Sequence, residues 1–176
     1  AIADLNGDYR RELFFGNLRE GFIPVYSPTK GDDLYHKVAH LPMSRHTFGM
    51  SVGDSNADGY PEIFLAHWLG FGGSFKTAPA FWKNREGEAL KAADAQSHLS
   101  SSHIGQDYNF TAKFADVNQN GLQDLLVASD FGSSLVLRNN GDGTYDNITD
   151  RETITDENGM GAALGDYDND GDLDWF

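Results

Sequence analysis

One short pattern recurs four times along the chain, and no other feature restricts the fold as strongly. ADLNGDYRREL starts at Ala3, GDSNADGYPEI at Gly53, ADVNQNGLQDL at Ala115 and GDYDNDGDLDW at Gly165. The first aspartates, Asp4, Asp54, Asp116 and Asp166, stand 50, 62 and 50 residues apart. Periods of this size belong to arrays of supersecondary units that bury their apolar faces by stacking on one another, and a four-stranded propeller blade takes about 40 to 45 residues.

Apolar runs of strand length flank each loop. Residues 48–52, 110–114 and 160–164 precede loops, and residues 13–15, 63–66 and 125–128 follow them. Each loop is therefore expected to join a hairpin. Further strands are expected at 22–26, 35–40, 80–82, 135–137 and 145–149, separated by clusters of Gly, Pro, Asn and Asp. One helical patch is expected at 86–95. The predicted fold class is all-β, a β-propeller of four-stranded blades. Residues 1–176 are read as a fragment of it, two complete blades between two partial ones, because closing a ring takes at least about four blades. The rest of the propeller is expected from sequence outside this stretch. The second repeat is 12 residues longer than its neighbours, and the excess is assigned to an insertion at 68–103, a surface excursion, because repeat-specific insertions map to loops.

The loops have the chemistry of a hard-cation site. Calcium takes about six to eight oxygen ligands at roughly 2.3–2.6 Å, and alternate residues of a tight loop can aim theirs at one point. Positions one, three, five, seven (through its carbonyl) and nine supply them. They are Asp4, Asn6, Asp8, Arg10 and Glu12 in the loop at 4–12, and Asp54, Asn56, Asp58, Tyr60 and Glu62 at 54–62. At 116–124 they are Asp116, Asn118, Asn120, Leu122 and Asp124, and at 166–174 Asp166, Asp168, Asp170, Asp172 and Asp174. Several structural Ca2+ ions, one per loop, are thus the predicted cofactors. Two amides replace carboxylates in the third loop, which predicts weaker binding there. In the first, Tyr9 stands at the sixth position, where the other three loops place glycine. An EF-hand also opens with alternating acidic residues, but it needs a bidentate Glu at position twelve. Phe15, Leu65 and Val127 stand there instead. A lone Asp/Asn/Gly loop would read as a solvated turn; four copies at blade spacing favour the metal.

The remaining composition excludes more than it assigns. A formal charge of −14, from 27 acidic and 13 basic residues, argues against nucleic acid, which needs a basic footprint. No apolar run reaches the roughly 20 residues of a membrane helix. Without cysteine there are no disulfides and no thiolate metal sites. His36, His40, His46, His67, His98 and His103 show no metal-ligand spacing. Ser100, Ser101 and Ser102 beside His103 lack a nucleophile elbow, and the GFGGSF stretch from Gly70 lacks the lysine of a phosphate loop. Trp68, Phe71, Phe75 and Trp82 either fill inter-blade core or present rings to a sugar or protein partner. Asn109 and Asn147 begin sequons by pattern.

Phe48-Gly49 followed by Gly53-Asp54, and the run from Gly159 to Asp166, resemble the FG-GAP and VCBS repeats of integrin α-chain propellers and many bacterial surface proteins. The run NNGDGTYDNIT from Asn139 resembles the cartilage acidic protein and UnbV-like branch. The chain departs from the pattern at Tyr9, at Asn120 and at Phe110-Thr111. The resemblance implies a propeller whose calcium loops stabilise blades, and adhesion, carbohydrate contact or an accessory role beside an enzyme domain. The leading expectation is a non-catalytic module, secreted, at the cell surface or periplasmic, that binds a protein or carbohydrate ligand. The alternative is a polysaccharide lyase or hydrolase on a calcium-bearing propeller, since fold does not dictate function.

Overall fold

A computed structural model of the chain describes residues 1–16, 21–31, 34–42, 47–68, 79–99, 108–154 and 158–176. Among these residues every regular element is a strand. β1 (Ile2–Ala3), β2 (Glu12–Phe14), β3 (Phe22–Pro28) and β4 (Tyr35–Pro42) form the first sheet. β5 (Thr47–Gly53), β6 (Glu62–His67), β7 (Phe81–Arg85) and β8 (Ala89–Ala92) form the second. β9 (Asn109–Ala115), β10 (Asp124–Ser129), β11 (Leu135–Asn139) and β12 (Tyr145–Asn147) form the third. β13 (Leu164–Gly165) and β14 (Asp174–Trp175) make a two-stranded hairpin. Each sheet is an antiparallel meander in chain order, the construction of a propeller blade, and among the described residues no sheet closes on itself.

The period of two explains how the sheets stack. On β6, Ile63 and Leu65 face the first sheet, in a cluster with Leu5, Phe14, Ile23, Val25, Leu41 and Trp82. Phe64 and Ala66 face the third, with Phe81, Leu99, Leu125, Val127, Leu137 and Tyr145. Successive side chains of a strand leave opposite faces, and both faces of β6 are covered, so all six of its residues are buried. β4, by contrast, is exposed along nearly its whole length and carries His36, Lys37 and His40 outward, as an edge strand that avoids further pairing does. The first strands β5 and β9 run against each other. A Cβ on Gly49 would overlap the Phe110 carbonyl oxygen, so the glycine of the Phe48-Gly49 pair is what lets these two backbones approach.

Four expectations change. Among the described residues the count is three four-stranded sheets and one hairpin, not two complete and two partial blades, because two residues of β1 suffice to pair with β2 through Ile2↔Leu13 and Ala3↔Glu12. The patch at 86–95 is not helical: Glu86 (φ 49°) and Gly87 (φ 77°) turn the β7–β8 hairpin, a conformation no helix contains. At 160–164 pairing is confined to Ala163 with Phe176 and Leu164 with Trp175, since the glycines of this stretch give little to a ladder. Residues 79–99 of the 68–103 insertion are not an excursion, because β7 and β8 complete the second sheet and Leu99 and Ala93 lie in its core. Residues 69–78 and 100–103 lie outside the described residues, with Phe71, Phe75, the GFGGSF stretch, Ser100 to Ser102, His46 and His103. Trp82 is core at 7% exposure, whereas Trp68 is half-buried among Phe48, Tyr108 and Phe110. Asn109 is buried on β9 and accepts a bond from Ser129 Oγ at 2.7 Å, which closes that sequon to modification in the folded chain.

Candidate metal centre

The four loops share one hydrogen-bonding scheme, built by the residue types the repeat keeps. The first aspartate grips the turn from inside. Asp54 takes the N–H groups of Asp58 (3.1 Å) and Gly59 (2.8 Å), Asp116 those of Asn120 (3.0 Å) and Gly121 (2.8 Å), and Asp166 those of Asp170 and Gly171 (3.1 Å each). The third residue accepts from the N–H of the fifth: Asn6 from Asp8, Asn56 from Asp58, Asn118 from Asn120, Asp168 from Asp170. The fifth accepts from the seventh, at 2.8–2.9 Å from Arg10, Tyr60, Leu122 and Asp172. The ninth reaches back to the second N–H, Glu12 to Leu5, Glu62 to Ser55, Asp124 to Val117 and Asp174 to Tyr167. A short carboxylate or amide that bonds a backbone N–H two to five residues on is what Asp and Asn do best.

Two positions per loop take positive φ, not one. Gly59, Gly121 and Gly171 do so at the sixth, and Ala57, Gln119 and Asn169 at the fourth. The first loop inverts the glycine placement: Gly7 (φ 72°) is fourth and Tyr9 (φ 64°) sixth. It closes all the same, with Asp4 accepting from Gly7 at 2.8 Å and from Tyr9 at 2.7 Å. Tyr9 projects into solvent at 96% exposure, so only the left-handed backbone opposes it, at a cost of about 1–2 kcal/mol.

The loops differ in how far the acidic oxygens converge. Asp166, Asp168 and Asp174 place one oxygen each within 4.8 Å of one another, about twice a calcium–oxygen bond, so one ion can touch all three. Among the described residues no other three acidic or histidine side chains gather this closely. Asp170 turns to the Asp172 N–H instead. Glu12 spends one oxygen on Leu5 N–H (2.8 Å) and the other on the Ser27 hydroxyl (3.0 Å). Glu62 is fully buried; its Oε2 takes both the N–H and the hydroxyl of Ser55, and the Asn84 N–H also acts on its carboxylate. An all-oxygen donor set with up to four carboxylates per loop suits a hard cation and no thiophilic one.

Burial governs the titration of two buried acids, Glu62 and Asp124. Desolvation pushes Glu62 above its ordinary value, opposed by the Ser55 hydroxyl and N–H and reinforced by the Asp58 charge. Asp124 is raised by desolvation too, against the N–H groups of Asn139 and Val117, with Asp116 adding to the rise. Beside them burial raises the Tyr145 phenol, and the charges of Glu62 and Asp124 raise it further, while the Ser55 hydroxyl works the other way.

Three sheets of four antiparallel strands with an Asp-rich loop inside the first hairpin of each define the class: blades of a propeller with a cation-suited loop per blade. Residues 116–176, which span the third and fourth loops, match the FG-GAP-like repeat family. Among solved structures, the crystal structure of the V. cholerae biofilm matrix protein Bap1 is similar at a TM-score of 0.41 with 16% sequence identity. The similarity covers 93% of this chain and 30% of that one. No curated protein matches the chain.

Proposed function

We propose that this chain is part of a calcium-stabilised propeller that acts outside the cytoplasm, secreted, at a cell surface or in a periplasm, as a non-catalytic binding, adhesion or scaffolding module for a protein or carbohydrate partner. The observation that carries the calcium reading is the convergence of Asp166, Asp168 and Asp174 within 4.8 Å. The shared hydrogen-bonding scheme of the other loops supports it. Asp166, Asp168 and Asp174 would hold the ion of the fourth loop, and Asp54, Asn56, Asp58, Glu62 and the Tyr60 carbonyl that of the second. The bound ion supplies charge neutralisation and a cross-link between strands; the residues themselves orient the loop. Millimolar external calcium fills even weak loops, which is why the module belongs outside the cytoplasm. The FG-GAP-like match over 116–176 supports a repeat of binding modules, and the NNGDGTYDNIT run is the reason to look for its nearest kin in the cartilage acidic protein and UnbV-like branch.

Calorimetric titration with calcium tests the reading. Binding is expected for the parent and a lost high-affinity step for Asp168→Ala. Identical isotherms for the two proteins would sink it. Fractionation of the source cells tests the compartment, and recovery in the cytosol would exclude the extracellular role.

A further inference from the structure

The third strands of the second and third sheets each carry a buried asparagine that reaches out of its own sheet into the loop of the preceding one. Asn84 Nδ2 donates to the Leu5 carbonyl at 2.8 Å and to the Pro61 carbonyl at 3.3 Å. Asn139 Nδ2 donates to the Ser55 carbonyl at 2.6 Å and to the Gln123 carbonyl at 3.0 Å. The two stand at one register, two residues past Trp82 and Leu137, which pair with Ile63 and Leu125, and they are 6% and 5% exposed. Each Oδ1 is engaged as well, by the N–H of Gly87 at 3.1 Å and of Gly141 at 3.0 Å. With the carbonyl end held there, the amino end is committed to the loops.

Leu5 and Ser55 are the second residues of their loops, and Pro61 and Gln123 the eighth. Each asparagine therefore ties position two of one loop to position eight of the next. Ser55 lies between Asp54 and Asn56; its N–H is held by Glu62 and its carbonyl by Asn139, so both peptide planes that aim those two side chains are clamped. At the same register of the first sheet, two residues past Tyr26, stands Pro28, which has no side-chain donor.

We propose that Asn84 and Asn139 are positioning residues that couple adjacent cation loops, so that each loop's affinity depends on an amide from the following blade. The proposal rests on the calcium reading above. The clamp leaves a directional signature: Asn139 acts on 54–62 from a different sheet, and Asn84 acts likewise on 4–12.

Hydrogen exchange read by mass spectrometry across a calcium titration resolves the loops separately in the whole chain. Asn139→Ala is expected to raise the calcium midpoint of protection at 54–62 roughly tenfold, the scale of one lost hydrogen bond with a buried acceptor left behind, and to leave 4–12 unchanged. Asn84→Ala is expected to raise the midpoint at 4–12 and leave 116–124 unchanged. If the alanine variant does not fold, Asn139→Asp carries the test, because it keeps the shape and the acceptor for Gly141 and lacks the donor. Parental protection at 54–62 in the Asn139 variants, with any change confined to 116–124, overturns the coupling while the calcium reading stands. Absence of calcium protection in every loop of the parent overturns both.

Discussion

Gly49 and Gly161 are both exposed to substitution by alanine on paper, yet their surroundings differ. A Cβ at Gly49 would run into the Phe110 carbonyl and lie 3.2 Å from Thr111 Cα, whereas one at Gly161 meets nothing within 4 Å. Backbone cannot swing aside as a side-chain tip can, so Gly49→Ala is expected to cost about 1–3 kcal/mol and Gly161→Ala less than about 0.5 kcal/mol, read from urea midpoints at unchanged slope. Glu62 and Asp124 make a prediction about pH. Their folded values lie above the ordinary 4.5 and 3.8 because burial disfavours the charge. A carboxyl group that binds its proton more tightly folded than unfolded adds stability below its ordinary pKa, and loses it as pH rises through the folded value. The metal-free protein is therefore expected to lose stability as pH rises above about 4.5, with a shallower decline in Glu62→Gln. An equal slope in both proteins would assign the decline to other groups.

At the level of elements, the loops are one device in four editions. Carboxylates at the side-chain ligand positions number three, three, two and four from the first loop to the fourth. Oxygen convergence follows the same order at its upper end, since the fourth loop is where three carboxylates meet. Calcium is expected to protect the amides of 166–174 at the lowest concentration, those of 54–62 next and those of 116–124 last, as read by hydrogen exchange. The Asp168→Ala variant should move the fourth loop to the end of that order. The hairpin β13–β14 is short, its pairs Leu164↔Trp175 and Gly165↔Asp174 extended by Ala163 and Phe176, which exchange backbone hydrogen bonds, so its order depends on what holds the loop between them.

For the whole molecule the governing quantity is charge. Twelve of the 27 acidic residues stand at ligand positions, and their mutual repulsion is concentrated inside four turns. An ion bound only by the folded state stabilises it by about 2.7 kcal/mol when free calcium is 100 times its dissociation constant. Chelation is accordingly expected to lower the melting temperature by several degrees, and sodium chloride at matched ionic strength to restore little of it, because screening at a Debye length of about 10 Å does not replace a ligated ion. Full restoration by salt alone would leave the loops as ordinary acidic turns.

The repeat of Asp, Asn and Gly made the loops, the hairpins around them and the stacked-sheet class legible without coordinates, because Asx turns and the strand period of two are local properties of the chain. Tyr9 was legible only as an exception; that Gly7 and Tyr9 share the two left-handed positions depends on a carboxylate, Asp4, closing both. Asn84 and Asn139 fell just past the strands expected at 80–82 and 135–137, and their bonds between blades were not legible, since their partners lie 79 and 84 residues away and no local pattern encodes such a bond. Which face of β6 meets which sheet, why Gly49 must lack a side chain, and which acids lose their water were likewise decided by the packing of one sheet on the next. Contacts between residues distant in sequence, and the burial they impose, exist only once the chain has folded.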